Sequence, residues 1–444
     1  MARSATVFAC SACGQETPKW HGRCPGCGEW NTIVEEARAA ASGPTRRAGK
    51  ALRPVPLQDV QAPAVERLTT AIGELDRVLG GGLVPGSLVL IGGSPGIGKS
   101  TITSTALGNL AAAGRRVLYV SGEESAAQVR LRAERLGAAA LKVPVVAETD
   151  ADSVIATIEA ERPEVCVVDS VQVLYDPALS GSPGSVGQVR EVAGRLMRLA
   201  KARGIAIVLV GHVTKEGSLA GPRVLEHLVD CVLSFEGERE RTYRTLRALK
   251  NRFGSTNETG VFEMREEGLA EVEDASRRFV SEATRGPGSV VLCAMEGSRP
   301  LLVEVQALVA PTELVPPRRV ANGVDRNRLA LVLAVLTRHG GVSLGSSDVF
   351  VSVAGGVRVD EPGADLAVAL AIASAARGVE PAGAPLAAFG ELGLTGEVRH
   401  VAHPDRRLAE ARKFGLSDVL HPGSADGLRA ALAAGLRGSR ARAA

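Results

Sequence analysis

Long apolar runs are absent from this 444-residue sequence, and their absence limits the kind of protein it can be. No stretch approaches the roughly 18 apolar residues that a membrane-spanning helix needs. The N-terminus also lacks the apolar segment of a secretory signal peptide. From both absences we expect a cytoplasmic protein with no membrane partner.

A strong charge of either sign is absent too, because the formal net charge is only +3. This balance does not by itself indicate a nucleic-acid binder, although it allows local basic patches. Hydrophobic residues make up 45% and charged residues 23% of the chain, which is typical of a globular protein with real cores. The length favours about three domains.

Cysteine is scarce beyond the first thirty residues. Cys166, Cys231 and Cys293 lie in apolar runs, where we predict ordinary buried side chains. Two C-x-x-C pairs with ten residues between them bring four thiolates around one cation and predict a zinc ribbon or knuckle. A disulfide is disfavoured in the cytosol, and a thioredoxin-like site would have a single pair at a helix start. The predicted zinc ligands are Cys10, Cys13, Cys24 and Cys27.

Trp20 and Trp30 are the only tryptophans, and they flank the second cysteine pair. We predict that they pack the small core of the zinc module. Contact with a nucleic-acid base is the alternative. The basic segment that follows is rich in Ala, Pro and Gly, which predicts a flexible linker.

The stretch Leu88–Thr105 combines an apolar run, a glycine-rich loop and a predicted helix that begins at Ser100. The loop fits G-x-x-x-x-G-K-[ST] at every fixed position. Its glycines let backbone N–H groups point at phosphate oxygens, and the helix N-terminus adds partial positive charge. We predict that Lys99 reaches the β- and γ-phosphates of ATP and that Ser100 ligates Mg²⁺. The predicted nucleotide-binding residues are Gly93, Ser94, Pro95, Gly96, Ile97, Gly98, Lys99, Ser100 and Thr101.

Strand-like and helix-like segments alternate beyond this loop, which predicts an α/β fold with a doubly wound, mainly parallel sheet. Ligands bind such sheets at the carboxyl ends of the strands. The predicted strands are 88–91, 116–120, 141–146, 165–168 and 205–210, and the predicted helices are 125–136, 152–161 and 189–203.

Polar residues follow three of these strands and are candidate site residues. Asp169 has the form of a Walker B carboxylate that holds Mg²⁺ through water. Glu123 is favoured over Glu124 as the residue that orients or deprotonates the attacking water. His212 could sense the γ-phosphate. For Asp169, Glu123 and His212, a helix-capping or solvated role is the alternative.

Two later segments carry basic side chains. The Gly-rich residues 213–223 predict a mobile loop that could contact a partner through Lys215 and Arg223. A predicted strand at 242–249 leads into the sequence KNRFG. Its Lys250 and Arg252 suit phosphate recognition, and Arg252 could serve as a finger for the nucleotide of a neighbouring subunit. A basic hairpin tip without that role is the alternative.

Together these residues resemble the RadA (Sms) family of bacterial DNA repair proteins over essentially the whole chain. The resemblance implies a RecA-like ATPase core that forms hexameric rings on single-stranded DNA. It also implies a helicase-like role in branch migration during recombinational repair, with Lys250 and Arg252 in ATP- and DNA-linked function. The matching segments are the four cysteines, GGSPGIGKST at 92–101, YVSGEES at 119–125, VVDS at 167–170, GHVTKEG at 211–217 and KNRFG at 250–254.

A second α/β unit is predicted from about residue 288, and it is similar to the C-terminal domain of Lon proteases. Lon-type peptidases need a Ser nucleophile activated by a nearby Lys. Here Ala364 and Asp365 stand near the place of the Ser. Arg406 and Arg407 stand where the Lys is expected, and arginine stays protonated and cannot be the base. We therefore expect a peptidase fold without peptidase activity, kept for ring assembly.

These observations predict a DNA-dependent ATPase with ATP, Mg²⁺ and Zn²⁺ bound. The expected partners are single-stranded and branched DNA, a RecA-type recombinase and further copies of the chain in a homohexamer. A nucleotide-switched adaptor that stimulates a recombinase is the alternative function; an ATP-dependent protease would need a Ser–Lys pair that the sequence lacks. The predicted catalytic residues are Lys99, Glu123, Asp169, Lys250 and Arg252. The predicted parts are a C4 zinc finger at 1–35, a linker at 36–65, a RecA-like ATPase domain at 66–275 and a Lon-protease-like domain at 285–444.

Overall fold

The structure is a computed structural model. It describes residues 6–10, 15–26, 28–37, 56, 59, 66–179, 181–213, 219–220, 224–237, 243–272, 274–281, 283–354, 357–359, 361–383 and 385–436. Most of the predicted linker, 36–65, lies outside the described residues. No helix in the described ranges is long and apolar enough to cross a membrane.

The described chain forms two compact units. The first comprises described residues of Met1–Glu236, Leu246–Thr256 and Met264–Glu271, and the second those of Gly237–Thr245, Asn257–Glu263 and Val272–Ala444.

A small three-stranded sheet opens the first unit. Strands β1 (Thr6–Cys10), β2 (Glu16–Thr17) and β3 (Ile33–Ala37) pair antiparallel in the order β2-β1-β3. Among the described residues of this module, the buried hydrophobic side chains are Cys10, Cys24 and Ile33, with Phe8 packed against them. So small a core is typical of a module that a metal holds together.

The large sheet contains nine strands in the order β14-β13-β12-β11-β4-β8-β7-β5-β6. From β11 to β6 all neighbours pair in parallel. The central strands are continuous apolar runs because helices cover both faces of a parallel sheet. The strands of this region are β4 (Leu88–Gly93), β5 (Val117–Ser121), β6 (Val145–Ala147), β7 (Val165–Asp169), β8 (Ala206–Val210), β9 (His212–Val213), β10 (Leu219–Ala220), β11 (Cys231–Glu236), β12 (Tyr243–Asn251), β13 (Thr259–Arg265) and β14 (Gly268–Glu271).

The helices of this region have recognisable start signals. A capping box of Ser125 and Gln128 begins α3, and the Asp150 side chain caps α4. The helices are α1 (Gly73–Leu79), α2 (Lys99–Ala112), α3 (Ala126–Leu136), α4 (Ala151–Glu161), α5 (Val186–Arg203) and α6 (Val224–Leu228), with a 3₁₀ turn at Ala140–Lys142.

The predicted α/β class and the mainly parallel sheet are confirmed, and most predicted boundaries lie within three residues of the observed ones. The strand predicted at 141–146 is wrong over its first half, because the 3₁₀ turn occupies that position and only β6 is extended. Helix α1 was not predicted. The glycines at 80–82 after it favour a turn, and they gave only the expectation of that turn.

The second unit contains a six-stranded sheet in the order β17-β18-β16-β15-β19-β22. Helix α9 is buried along most of its length against β15 and β16, which explains its small, Ala-rich sequence. The elements of this region are α7 (Ala275–Ser281), β15 (Ser289–Glu296), β16 (Arg299–Pro311), β17 (Arg319–Asn322), α8 (Arg326–His339), β18 (Ser347–Val353), α9 (Asp365–Arg377), β19 (Ala387–Ala388), β20 (Glu391–Leu392), β21 (Val398–Arg399), α10 (Pro404–Lys413), β22 (Val419–Leu420) and α11 (Leu428–Gly435), with a 3₁₀ turn at Pro362–Ala364.

Candidate nucleotide-binding site and zinc module

The predicted phosphate loop joins the end of β4 to the start of α2. Gly93, Gly96 and Gly98 have φ values of 157°, 75° and 120°, in the region that favours glycine. A Cβ on Gly98 would lie 2.7 Å from Leu269 Cδ1. Ile97 is fully buried and anchors the loop, whereas Ser94, Pro95 and Gly96 are exposed. The loop therefore presents a shaped backbone cradle that fits a phosphate.

Lys99 lies at the first position of α2 and is 4% exposed. Its Nζ donates to the carbonyl oxygens of Gly93, at 2.7 Å, and Ser94, at 3.0 Å. The Lys99 ammonium is thus held beside the loop, where a bound phosphate would also lie. Ser100 and Thr101 follow in the first helical turn and are half-buried.

Asp169 ends β7, which lies two strands from β4 at the same carboxyl edge of the sheet. Two strand spacings correspond to about 10 Å, a distance that a nucleotide phosphate and a hydrated Mg²⁺ can bridge. The Asp169 carboxylate is buried, and its Oδ2 accepts a hydrogen bond of 2.5 Å from the Tyr119 hydroxyl. The peptide bond from Asp169 to Ser170 is cis.

Tyr119, from β5, is a site residue that sequence reasoning missed. Burial, together with the negative charge of Asp169, raises the pKa of Tyr119 far above its ordinary value. The phenol therefore stays protonated and can always donate. Arg132 Nη2 donates to the same phenol oxygen at 2.8 Å, and Arg132 Nη1 also pairs with Glu124. One chain of polar contacts thus connects α3 with the Asp169 carboxylate.

Glu123 and Glu124 follow β5 but have different partners. Glu123 Oε1 accepts a 2.5 Å hydrogen bond from Ser170 Oγ, so Glu123 lies next to the Asp169 segment. Glu124 is paired with Arg132. Glu123 is exposed at the edge that holds the phosphate loop.

The residues after β8 are only partly described. His212 begins β9, directly after Gly211, and its backbone pairs with that of Ala220. Lys215 and Arg223 lie outside the described residues.

The KNRFG segment lies at the opposite end of the sheet from the phosphate loop of the same chain. Arg252 N donates to Asp230 O at 3.0 Å, and Asp230 Oδ2 accepts from Leu88 N at 3.1 Å. Leu88 begins β4, whereas the phosphate loop starts at its last residue, Gly93. A strand of this length separates the two ends by about 16 Å.

Within this segment the basic side chains are held by backbone and acidic groups. Lys250 Nζ donates to Glu226 O and Val229 O, at 2.7 and 2.8 Å. The Arg252 guanidinium lies 3.3 Å from Asp230 Oδ1 and is 54% exposed, so it can still contact another molecule.

The remaining residues of the segment fix its backbone against α1. Asn251 Nδ2 lies within hydrogen-bond distance of Val78 O and Leu79 O. A Cβ on Gly254 would lie 3.1 Å from Gly80 Cα.

Two of the four predicted zinc ligands, Cys10 and Cys24, are buried in the small module. Gly26 N donates to Cys24 Sγ at 3.3 Å, a contact that suits a thiolate acceptor. Cys13 and Cys27 lie outside the described residues. Within the described residues, no cluster of three metal-ligating side chains occurs. The two placed thiols fit the donor chemistry of a zinc site.

The prediction that Trp20 and Trp30 pack the core of the zinc module is wrong. Their exposed fractions are 56% and 68%, whereas the buried hydrophobic side chains among the described residues of the module are Cys10, Cys24 and Ile33.

In the second unit, Arg407 is 1% exposed and forms a two-point ion pair with Glu361. Arg407 Nη1 would lie 3.1 Å from a Cβ on Gly363, and its guanidinium stacks 5.3 Å from the Phe389 ring centroid. Arg407 is thus immobilised beside Gly363, the residue before Ala364.

Comparison with known families locates the domains of this site. A model described as an AAA domain matches residues 52–218, and a model described as a rubredoxin metal-binding domain matches residues 8–35. The first domain implies ATP and Mg²⁺, and the second implies a zinc ion. A KaiC-like protein from Pyrococcus horikoshii OT3 aligns with a TM-score of 0.40 and 21% identity, over 47% of this chain and 99% of that one.

Relatives match almost the full length. The DNA repair protein RadA of Bacillus subtilis (strain 168) is 50% identical over 429 residues, covering 95% of this chain and 93% of that protein. The protein of the same name from Pseudomonas aeruginosa (strain PAO1) is 52% identical over 428 residues, covering 95% and 94%. The chain therefore belongs to the RadA family of DNA repair proteins, and its phosphate loop lies in an ATPase domain.

Proposed function

We propose that this protein is a DNA-dependent ATPase that acts as a ring-shaped, helicase-like motor on single-stranded DNA and promotes branch migration in recombinational repair. The observation that carries the proposal is the separation of Arg252 from the phosphate loop of its own chain. A residue at the amino end of β4 cannot contact a phosphate at the carboxyl end, about 16 Å away. A role of Arg252 in hydrolysis therefore requires a neighbouring subunit, as in a ring.

The catalytic roles follow from the carboxyl edge of the sheet. Backbone N–H groups of residues 93–101, except Pro95, bind the phosphates, and Lys99 exchanges its loop carbonyls for phosphate oxygens. Ser100 and Asp169 would hold Mg²⁺, which when bound neutralises charge on the β- and γ-phosphate oxygens. Glu123 orients the attacking water and accepts its proton.

The remaining parts serve this motor. Cys10, Cys13, Cys24 and Cys27 bind zinc in the module at 1–35, and residues 36–65 link it to the ATPase domain at 66–275. The domain at 285–444 has a Lon-protease-like fold without peptidase activity, because Arg407 is locked by Glu361 and stays protonated. The expected assembly is a homohexamer on single-stranded and branched DNA that works with a RecA-type recombinase.

The first experiment measures the ATPase rate of the full chain with and without an unstructured single-stranded oligonucleotide. We expect stimulation by the oligonucleotide, loss of that stimulation in Arg252→Ala, and loss of all hydrolysis in Lys99→Ala. Stimulation that requires an added RecA-type recombinase would replace the motor by the adaptor. Wild-type turnover in Lys99→Ala would mean that the phosphate loop is not the catalytic site.

A further inference from the structure

The two tryptophans of the zinc module are exposed, although Trp side chains are highly buried on average. Trp20 and Trp30 are 56% and 68% exposed. A small module has little hydrophobic area to bury, and an indole ring left in solvent contributes little to its stability. Their position therefore indicates a contact with another molecule.

The rings are held in place rather than free. Trp20 Nε1 donates to Ile33 O at 3.1 Å. The backbone of Trp30 pairs with that of Arg23, whose guanidinium lies 5.9 Å from the centre of the Trp30 ring. Arg23 is itself fixed by a 2.7 Å hydrogen bond from Nε to Gly28 O. Both rings are thus preorganised, which lowers the entropy cost of binding.

A notch separates the two rings at Gly22. A Cβ at this position would lie 3.5 Å from Trp20 Cη2 and 3.9 Å from Trp30 Cζ3. Both rings therefore border one point, and the glycine leaves the space there open.

We propose that Trp20, Trp30 and Arg23 form a stacking platform for unpaired bases of single-stranded DNA; this inference rests on the proposed function and names the partner of the zinc module. Aromatic rings with a neighbouring cation are the elements with which proteins bind single strands of any sequence. The residues that the structure shows in contact with the rings include Arg23, Gly22 and the Ile33 carbonyl oxygen.

The test uses the fact that these are the only two tryptophans of the chain. Their fluorescence in the zinc-loaded full-length protein is measured during titration with an oligo(dT) strand. Binding is followed in parallel by the anisotropy of a labelled copy of the strand. We expect strong quenching that saturates with the anisotropy signal. Trp20→Ala and Trp30→Ala should each weaken binding about 5- to 100-fold, as expected for the loss of one stacked base.

Matched variants separate stacking from folding. Trp20→Phe and Trp30→Phe keep an aromatic face and should bind within a few-fold of wild type, with unchanged zinc content. Binding by anisotropy with unchanged tryptophan emission would overturn the platform and assign the surface to a protein partner. No binding by anisotropy would overturn the proposed DNA motor itself, so the two failures are distinguishable.

Discussion

Tyr119 connects the Asp169 carboxylate to helix α3 through a hydroxyl that acts as donor and acceptor at once. It donates to Asp169 Oδ2 and accepts from Arg132. Because burial keeps the phenol protonated, the donor is present at every pH at which the protein is folded. One carboxylate oxygen is thereby held, and in the proposed mechanism the other faces the hydration shell of Mg²⁺. Tyr119 is a positioning residue for Asp169.

The first prediction concerns Tyr119→Phe. Loss of a hydrogen bond to a charged group costs about 1.5–3 kcal/mol, so we expect the ATPase kcat to fall about tenfold or more. The half-saturating Mg²⁺ concentration should rise as well, because Asp169 loses its fixed orientation. Steady-state rates over a Mg²⁺ series measure both effects. Tyr175→Phe, in the same unit, is the control, and an unchanged Mg²⁺ dependence in Tyr119→Phe would refute the positioning role.

Residues at strand ends could be predicted from the sequence, but residues within strands could not. Lys99, Asp169 and Glu123 occupy positions that the alternation of strands and helices defines, so pattern alone placed them at one edge of the sheet. Tyr119 lies inside a buried strand and has the same sequence context as a core residue. Its partner Arg132, eight residues beyond Glu124 on α3, becomes apparent only from the tertiary fold.

At the scale of elements, predictions failed where local signals were weak or contradictory. The apolar run at 141–146 suits a buried strand, but its first residues turn in a 3₁₀ helix that packs on α2 and α3. Helix α1 has only seven residues and depends on tertiary contacts such as those of Asn251. Trp20 and Trp30 were expected inside because large aromatic rings usually are, but both rings are mainly exposed to solvent.

The zinc module and the core strands should differ sharply in thiol reactivity. Burial raises the pKa of Cys166, Cys231 and Cys293 to about 12, so these thiols are neutral and inaccessible in the folded protein. In the proposed zinc site, thiolates of the two C-x-x-C pairs are protected only while zinc is bound.

We therefore predict that a zinc chelator exposes the four cysteines of these pairs to iodoacetamide and leaves the three core cysteines unmodified. Mass spectrometry of the labelled peptides measures the pattern, with denatured protein as the fully labelled control. Cys24→Ser should lower the zinc content and leave the basal ATPase rate unchanged. Equal labelling of the C-x-x-C pairs with and without chelator would contradict a zinc site.

At the scale of the whole molecule, the KNRFG segment lies beside the amino end of β4, and the phosphate loop begins at the carboxyl end of β4. Arg252 is anchored at the amino end of β4 through Asp230, and Lys99 lies beyond its carboxyl end. Each subunit thus presents a candidate arginine finger at one end and a nucleotide site at the other. A closed ring joins such unlike surfaces head to tail. Activity should then depend on pairs of subunits rather than on single chains.

Mixing two inactive variants tests this dependence. Lys99→Ala lacks a working phosphate loop but keeps Arg252, whereas Arg252→Ala has the reverse defect. Each variant alone should show little DNA-stimulated hydrolysis, but a mixed ring contains interfaces that combine an intact loop with an intact arginine. Random mixing at equal amounts should restore about a quarter of the wild-type stimulated rate, since half of the loops and half of the arginines are intact.

The control for the mixing experiment is the double variant Lys99→Ala/Arg252→Ala mixed with Lys99→Ala, which offers no intact loop and should stay inactive. Rates are measured after the subunits have exchanged, with unmixed samples treated in the same way. Recovery in the first mixture alone places Arg252 in the nucleotide site of a neighbour. Recovery in neither mixture, with subunit exchange verified, would confine Arg252 to its contact with Asp230, where its loss acts on the fold of the β4 amino end instead of on hydrolysis.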